Sequence, residues 1–230
     1  MCYGFETKIE AAILIRKLLE KKYNIEAKEL DESFKKTNIR PNDKILCVYK
    51  EGNKLQISLV KWGIKFGKDK PNIVNSRSET IKEKKFWNDL FTNNRCLVPM
   101  TSFYEWIEVD GRKVQHKIYI YNEEYFFVPG IMYRDKEDNL SVSIITTTPN
   151  EFIEPFHNRM PVLLELDEAL QFMDESAKES LKRLKPYPHS IKMRKEIAVL
   201  PIRKKKSTEV KKIKLCIFGI QFRGNDGNIR

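Results

Sequence analysis

The 230-residue chain has little of what marks a metal-binding, secreted or membrane protein. Its four cysteines are scattered, with no Cys-x-x-Cys pair and no histidine at ligand spacing, which argues against a zinc site. No stretch approaches the roughly 20 apolar residues of a membrane span, and no basic segment followed by an apolar one opens the chain. Without a secretion signal, a disulfide framework is not expected either. We therefore expect a cytoplasmic protein without a metal, cofactor or membrane partner.

The chain has enough apolar residues for a core and an uneven distribution of charge. It is 41% hydrophobic and 33% charged, which is typical of a soluble globular protein of one domain, with or without appendages. The net charge of +11 comes from residues 181–230, where fifteen Lys or Arg stand against three Asp or Glu. The basic runs at 203–206 and 211–214 favour a polyanionic partner, although solvated tails have the same composition. Cys47 and Cys96, each inside an apolar stretch, are interpreted as ordinary buried thiols.

Hydrophobic periodicity predicts a sheet-rich α+β domain without regular β-α-β alternation. Apolar residues at helical spacing predict a helix over residues 8–23, and LDEALQFMD at 166–174 predicts a second. A β-hairpin is predicted from residue 44 to 64, and further strands are predicted at RCLVPM, SFYEWIEV, KIYIYN, YFFVPGIMYR, SVSIITTT and within EIAVLPI. The domain is expected to span residues 1–203, with a basic extension over 204–230.

Three stretches use residue types that packing alone does not require. In PNIVNSRSET, an extended chain would place Asn75, Arg77 and Glu79 on one polar face, although a solvated edge strand gives the same pattern. Glu105 lies among aromatic residues in SFYEW. Burial there would raise its pKa and suit it to proton transfer near neutrality, whereas an exposed strand face fits the alternation equally well.

The third stretch, FHNRMP, contains His157 and Arg159. Histidine is suited to acid or base catalysis near neutral pH, and the arginine guanidinium is suited to a phosphate or carboxylate. His116 and His189 are interpreted as structural. At the amino terminus, removal of Met1 would leave Cys2 with its α-amine and thiol on adjacent carbons.

Four colinear motifs resemble the SOS response-associated peptidase (SRAP) family, also called abasic-site processing proteins. They are the initial MC, N-S-R-x-E-T at 75–80, R-C-L-x-P-x-x-x-F-Y-E-W at 95–106 and H-x-R-M-P at 157–161; WG at 62–63 also fits the family pattern. The resemblance covers roughly residues 2–200. It implies the SRAP fold, a mostly antiparallel sheet that forms a barrel-like core with flanking helices.

The resemblance implies a monomer that traps abasic sites in single-stranded DNA and joins the nucleoid when bound. The mature Cys2 would form an imine with the sugar aldehyde, and its thiol would close a thiazolidine ring. Asn75 would bond near the sugar, and Glu105 would move protons in imine formation and crosslink reversal. His157 would assist opening of the sugar ring and cleavage on the 3′ phosphate side. Self-removal of the residue ahead of Cys2 is the best supported peptidase activity.

The same resemblance implies how DNA is held. Arg77 and Arg159 would pair with backbone phosphates. Trp62 and Trp106 would stack on bases or act as wedges, with core packing as the alternative for each. Many family members carry an arginine two residues after the cysteine, where this chain has Gly4; stacking by Tyr3, or Arg77 with the C-terminal lysines, would have to compensate.

Two other functions fit the residues. The first is a peptidase of the N-terminal-nucleophile type, which needs Cys2 but no DNA. The second is a non-catalytic module whose basic tail binds nucleic acid. Retention of Met1 would exclude both the crosslinking and the peptidase function, because the α-amine would then be one residue away from the thiol.

Overall fold

The computed structural model describes residues 3–8, 10–13, 15, 17, 20, 37–52, 54–67 and 69–199. Residues 10–13, 15, 17 and 20 are helical, within the segment predicted as the first helix. The strands are β1 (Phe5–Glu6), β2 (Lys44–Glu51), β3 (Lys54–Trp62), β4 (Asn75–Arg77), β5 (Arg95–Met100), β6 (Ser102–Val109), β7 (Arg112–Ile120), β8 (Phe126–Arg134), β9 (Leu140–Thr147), β10 (Met160–Pro161) and β11 (Met193–Ile197). The further helices are α1 (Ser78–Glu83), α2 (Lys85–Asn93), α3 (Leu166–Asp174) and α4 (Ala177–Lys182), and residues Ser190–Lys192 form a 3₁₀ turn.

Five strands close into a barrel, in the order β9-β3-β2-β5-β8, because β8 also pairs with β9. The pairing of β3 with β9 is parallel, and the other barrel pairings are antiparallel. Beyond the end of β3, β4 pairs with β9 in parallel, and β10 pairs with β9 on its other side. The predicted α+β class with a barrel-like core is confirmed.

A second, antiparallel sheet has the strand order β1-β6-β7-β11. The chain passes directly from the barrel into this sheet, since only Thr101 separates β5 from β6. Both the backbone N–H and the hydroxyl of Thr101 donate to the carbonyl of Glu6, at 2.7 and 3.0 Å. This contact fixes β1, the first strand of the chain, beside the strand that contains Glu105.

A large apolar cluster fills the barrel and continues to the second sheet. It contains barrel residues such as Val98 and Ile144 together with Phe5 and Phe103 of the second sheet. Cys47 and Cys96 are fully buried in it, as predicted, and burial raises the pKa of the Cys47 thiol well above its usual range. A second cluster packs α2 and α3 against the outer face of the barrel.

Trp62 belongs to the core, and the prediction that it stacks on DNA is wrong. Its side chain is fully buried, its indole N–H donates to the carbonyl of Val74 at 2.9 Å, and its ring meets Phe5 edge to face. The following Gly63 has a φ of +118°, and a Cβ there would lie 2.2 Å from the side chain of Asn72. The Trp-Gly pair is therefore explained by packing and backbone conformation.

Residues 1–198 form one compact unit, and residues 199–230 form a second. The second unit lies outside the described residues except for Val199, so the boundary at residue 203 stays a prediction. No helix in the described part of the chain is long and apolar enough to cross a membrane.

Candidate active site

Glu105 is a buried carboxyl group in the middle of β6. Side chains alternate along a strand, and here Glu105 points inward with only 3% of its surface exposed, while the neighbouring Trp106 is 54% exposed. Burial raises the pKa of Glu105 from 4.5 to about 7, because the charged form loses its hydration. Of the two interpretations of Glu105, the structure therefore favours the buried group, which holds and releases a proton near neutral pH.

His157 faces this carboxyl group, with its Nε2 atom 3.8 Å from Oε2 of Glu105. It lies in the loop between β9 and β10. Asn150 supports the loop: its side-chain oxygen accepts from the N–H of Ile153, and its side-chain nitrogen donates to the carbonyl of Tyr187. The backbone N–H of His157 in turn donates to the carbonyl of Ile153 at 2.9 Å. Tertiary contacts thus place the imidazole opposite Glu105.

The backbone of Arg159 serves both protonation states of the His157 ring. The neutral ring has two tautomers here: Nδ1 accepts from the Arg159 N–H at 3.0 Å when the proton is on Nε2, or carries the proton and donates to the Arg159 carbonyl, so that Nε2 can accept a proton. In the charged ring, Nδ1 donates to the Arg159 carbonyl, 2.9 Å away. Burial lowers the pKa of His157, so the neutral ring is favoured near pH 7. A neutral imidazole thus faces a carboxyl group that is partly protonated at the same pH.

The side chain of Arg159 connects the His157 loop to the Asn75 segment. Its guanidinium forms two hydrogen bonds of 3.0 Å with the two carboxylate oxygens of Glu79 and a third, of 2.7 Å, with the carbonyl of Thr146. Burial opposes ionisation of Glu79, but the hydrogen bond from Arg159 lowers its pKa overall. In this structure the guanidinium is therefore paired within the protein, and a contact between Arg159 and phosphate stays a prediction.

Only part of the predicted polar face is extended. Asn75 and Arg77 lie in β4, opposite Ile144 and Thr146 of β9, and Arg77 is exposed. Glu79 lies in the first turn of α1, so the prediction that it shares an extended face with Asn75 and Arg77 is wrong. The helical turn aims Glu79 at Arg159 instead. Because the chain passes directly from β4 into α1, Arg77 stays exposed while Glu79 pairs with Arg159.

The amino-terminal strand leads to Glu105. Phe5 pairs with Phe103, and the backbone N–H of Tyr104 donates to the carbonyl of Gly4 at 2.8 Å, which continues the ladder toward the first residues. Tyr3 is half-exposed, and Cys2 lies outside the described residues. Three of the four motifs are therefore linked by described contacts, the third to the fourth by Glu105 and His157 and the fourth to the second by Arg159 and Glu79, and the strand that follows the first motif pairs with the third.

The sequence interpretation missed several residues that shape the site. Glu79 was noted for its spacing and not as the partner of Arg159, and Thr146 and Asn150 were not singled out at all. Their roles depend on contacts between segments that lie far apart in the chain, for which a single sequence has no pattern. The polar Asn150 directly after Pro149 was the one local signal of an ordered turn.

Replacing Glu105 with glutamine is expected to stabilise the protein at alkaline pH. Below pH 4.5 the carboxyl group is protonated in both the folded and the unfolded chain; as the pH rises to about 7, only the folded chain keeps the proton. The free energy of unfolding of the native protein therefore falls over this window, by on the order of 3 kcal/mol. Glutamine does not titrate, so the stability of Glu105→Gln relative to the native protein should grow by that amount.

Chemical denaturation at a series of pH values from 4 to 8 measures this difference. Glu108→Gln is the matched control, since Glu108 lies exposed on the same strand. An equal pH dependence for the two variants would contradict the assignment of a raised pKa to Glu105.

Comparison with known proteins identifies the family of this chain. The family described as SOS response associated peptidase (SRAP) matches residues 1–206. Abasic site processing protein YoaM of Bacillus subtilis (strain 168) is 30% identical over 147 residues, which are 60% of this chain and 65% of that protein. Abasic site processing protein YoqW of the same organism is 32% identical over 154 residues, 63% of this chain and 65% of that protein. The matches thus span slightly less than two thirds of these relatives.

A solved structure of a protein from Bacteroides thetaiotaomicron has the same fold. It superposes with a TM-score of 0.65 at 22% sequence identity, over 85% of this chain and 91% of that one. The family match covers the described domain and contains all four motifs. The chain therefore belongs to the SOS response-associated peptidase (SRAP) family.

Proposed function

We propose that this protein processes abasic sites in single-stranded DNA by forming a covalent thiazolidine crosslink through Cys2 after Met1 is removed. The observation that carries the proposal is the pair of Glu105 and His157, whose side chains face each other at 3.8 Å. Glu105 lies on β6, the strand that pairs with the amino-terminal strand β1. The names of the relatives YoaM and YoqW, both abasic site processing proteins, support the same substrate class.

The α-amine and the thiol of the mature Cys2 determine the chemistry. The α-amine, with an ordinary pKa of about 7.7–8.0, is partly neutral at pH 7 and attacks the aldehyde carbon of the ring-opened sugar. The aldehyde oxygen leaves as water and an imine forms. The sulfur of Cys2 then bonds to the imine carbon while the thiol proton moves to nitrogen, which closes a five-membered ring. One water is lost in total, and no oxidant or cofactor is needed.

Glu105 and His157 supply the proton transfers. The protonated Glu105 donates to the departing oxygen in imine formation and takes the proton back in crosslink reversal. The neutral His157 assists opening of the sugar ring. At the imine stage it also removes the proton on the carbon next to the imine, so that the C–O bond to the 3′ phosphate breaks in a β-lyase reaction. A carboxyl group with a pKa near 7 and a neutral imidazole fit these two roles.

Four further side chains are proposed to hold the DNA. Arg77 and Trp106 are both exposed, which suits Arg77 to a phosphate and Trp106 to stacking on a base. Tyr3, also half-exposed, would stack on a base next to the reacted sugar. Asn75, half-buried in β4, would hydrogen-bond the sugar. The ion pair with Glu79 assigns Arg159 first to positioning His157, and a phosphate would bind Arg159 only by competing with that carboxylate.

The peptidase activity is proposed to be limited to removal of the residue ahead of Cys2. That reaction exposes the amine and thiol together, which the crosslinking chemistry requires. Turnover of a peptide substrate that is unaffected by abasic DNA would instead favour a peptidase of the N-terminal-nucleophile type.

A denaturing gel tests the proposal directly. Mature protein, with Met1 removal verified by intact mass, is incubated with a single-stranded oligonucleotide that contains one abasic site. We expect a heat-stable band of lower mobility. The control oligonucleotide has a tetrahydrofuran abasic analogue, which lacks the aldehyde and should bind without forming the band. Binding of both oligonucleotides without an adduct to either would overturn the proposed function and leave a binding module.

A further inference from the structure

Arg40 occupies the space that a side chain at Gly4 would need. A Cβ atom built on Gly4 would lie 2.6 Å from Nη1 and 3.1 Å from Cζ of Arg40, with Cδ2 of Tyr104 at 3.2 Å. No larger residue fits at position 4 while Arg40 holds this position. Gly4 and Arg40 are therefore complementary, although 36 positions separate them in the chain.

Both ends of Arg40 are fixed. Its backbone N–H donates to Oδ2 of Asp43 at 2.9 Å, in a turn that Asp43 closes by donating its own N–H to the carbonyl of Arg40. The guanidinium donates from Nη1 to the carbonyl of Tyr3 at 3.4 Å and from Nη2 to Oε1 of Gln115 at 3.3 Å, and its Cζ lies 5.8 Å from the centre of the Tyr104 ring. The guanidinium charge is thus held beside the residues that directly precede β1.

This position is close to the reactive end of the chain. Gln115 pairs with Trp106 across β6 and β7, so Arg40 reaches from Gly4 to a neighbour of the exposed indole. Position 2 is two residues before Gly4, and two residues of extended chain span about 7 Å. The amine of Cys2 can therefore lie no more than about 7 Å from Gly4, so a sugar bound to it keeps the flanking phosphates in the neighbourhood of the guanidinium.

We propose that Arg40 binds the DNA backbone phosphate next to the trapped sugar, from the space that Gly4 leaves open. The proposal rests on the proposed function. A guanidinium presents paired N–H donors that match two phosphate oxygens, and its charge displaces counterions from the DNA. Its hydrogen bonds to the Tyr3 carbonyl and to Gln115 are at the long end of hydrogen-bonding distances, and a charge-assisted contact with phosphate is shorter and stronger than either.

The test measures binding and crosslinking separately. Affinity for the tetrahydrofuran oligonucleotide is measured over a range of salt concentrations, and the adduct rate is measured at saturating abasic oligonucleotide. Arg40→Ala is expected to raise Kd about tenfold at low salt and to lower the salt slope by about 0.7. Arg40→Lys should keep the salt slope and lose part of the affinity, because the paired donors are gone. Because Arg40 is proposed to act on binding, the loss of affinity should exceed any loss in the adduct rate at saturation.

A double variant tests the geometric argument. In Gly4→Arg combined with Arg40→Ala, the guanidinium enters the same space from position 4, and affinity and salt slope should return toward native values. Arg112→Ala is the matched control, since Arg112 is exposed at the first residue of β7. The same Kd and salt slope for Arg40→Ala and Arg112→Ala would overturn the proposal, and so would failure of a folded double variant to recover.

The two proposals fail differently. A native protein that forms the adduct and has an Arg40→Ala variant with unchanged binding overturns only the role of Arg40. A native protein that binds but forms no adduct at any DNA concentration overturns the proposed function, and the role of Arg40 with it. The thermal midpoint of each variant is compared with that of the native protein, which separates a loss of binding from a loss of folding.

Discussion

A Cys2→Ser protein is expected to lose the heat-stable adduct completely while still forming an imine with abasic DNA. Serine is small enough for Met1 removal and keeps the α-amine, so attack on the aldehyde proceeds. Its hydroxyl is a much weaker nucleophile than a thiol and does not close an equally stable ring. The imine is hydrolysed on heating and becomes permanent only when borohydride reduces it.

Parallel reactions with and without borohydride measure this difference on denaturing gels. Cys216→Ser is the control, because Cys216 lies outside the four motifs. A heat-stable adduct of Cys2→Ser at the native yield, without reduction, would contradict the assignment of ring closure to the Cys2 thiol.

The second large effect is expected from Glu105→Gln, which should slow adduct formation by about 10²–10⁴-fold. Glutamine keeps the size of the side chain but cannot transfer the proton that imine formation requires. Because the α-amine must be neutral and Glu105 protonated, the rate of the native protein should pass through a maximum between the pKa of Glu105, about 7, and that of the amine, about 7.7–8.0, and fall at higher pH as the acid form of Glu105 is depleted. The fall at high pH should be absent from the residual rate of the variant.

Single-turnover rates from pH 5 to 9 check this prediction, with Glu108→Gln as the exposed control on the same strand. The expected stabilisation of Glu105→Gln at high pH separates loss of catalysis from loss of fold. A variant that is more stable and reacts at the native rate would remove Glu105 from the mechanism.

The sequence predicted the barrel strands well, because each is a run of apolar and β-branched residues bounded by turn residues. The helix α3 was also predicted, since LDEALQFMD has a clear helical period. The helices α1 and α2 were missed. Their segment, SETIKEKKFWNDLFTN, contains many charged residues and directly follows β4, and its helical state depends on Ile81 and Phe91 packing in the second core.

The family resemblance assigned Glu105 and His157 to one reaction, but no sequence pattern predicted that the two side chains face each other. The alternating pattern of β6 allowed Glu105 to point either inward or outward, and only the barrel and the His157 loop decide that it is buried. Trp62 shows the opposite case, an aromatic residue in a motif that packing explains fully. Arg40 had no local signal, because it fills the space left by the absent side chain of Gly4. In the sequence, Gly4 was visible only as a departure from the family pattern.

Mapping the crosslink by peptide mass is the most direct test of the central claim. The adduct formed by the native protein is treated with a thiol alkylating reagent, digested with protease and nuclease, and analysed by mass spectrometry. We predict a peptide that begins at Cys2, carries the sugar remnant with the loss of one water, and has an unalkylated sulfur. A remnant on a lysine, or a Cys2 thiol that is still open to alkylation, would contradict the thiazolidine and the function built on it.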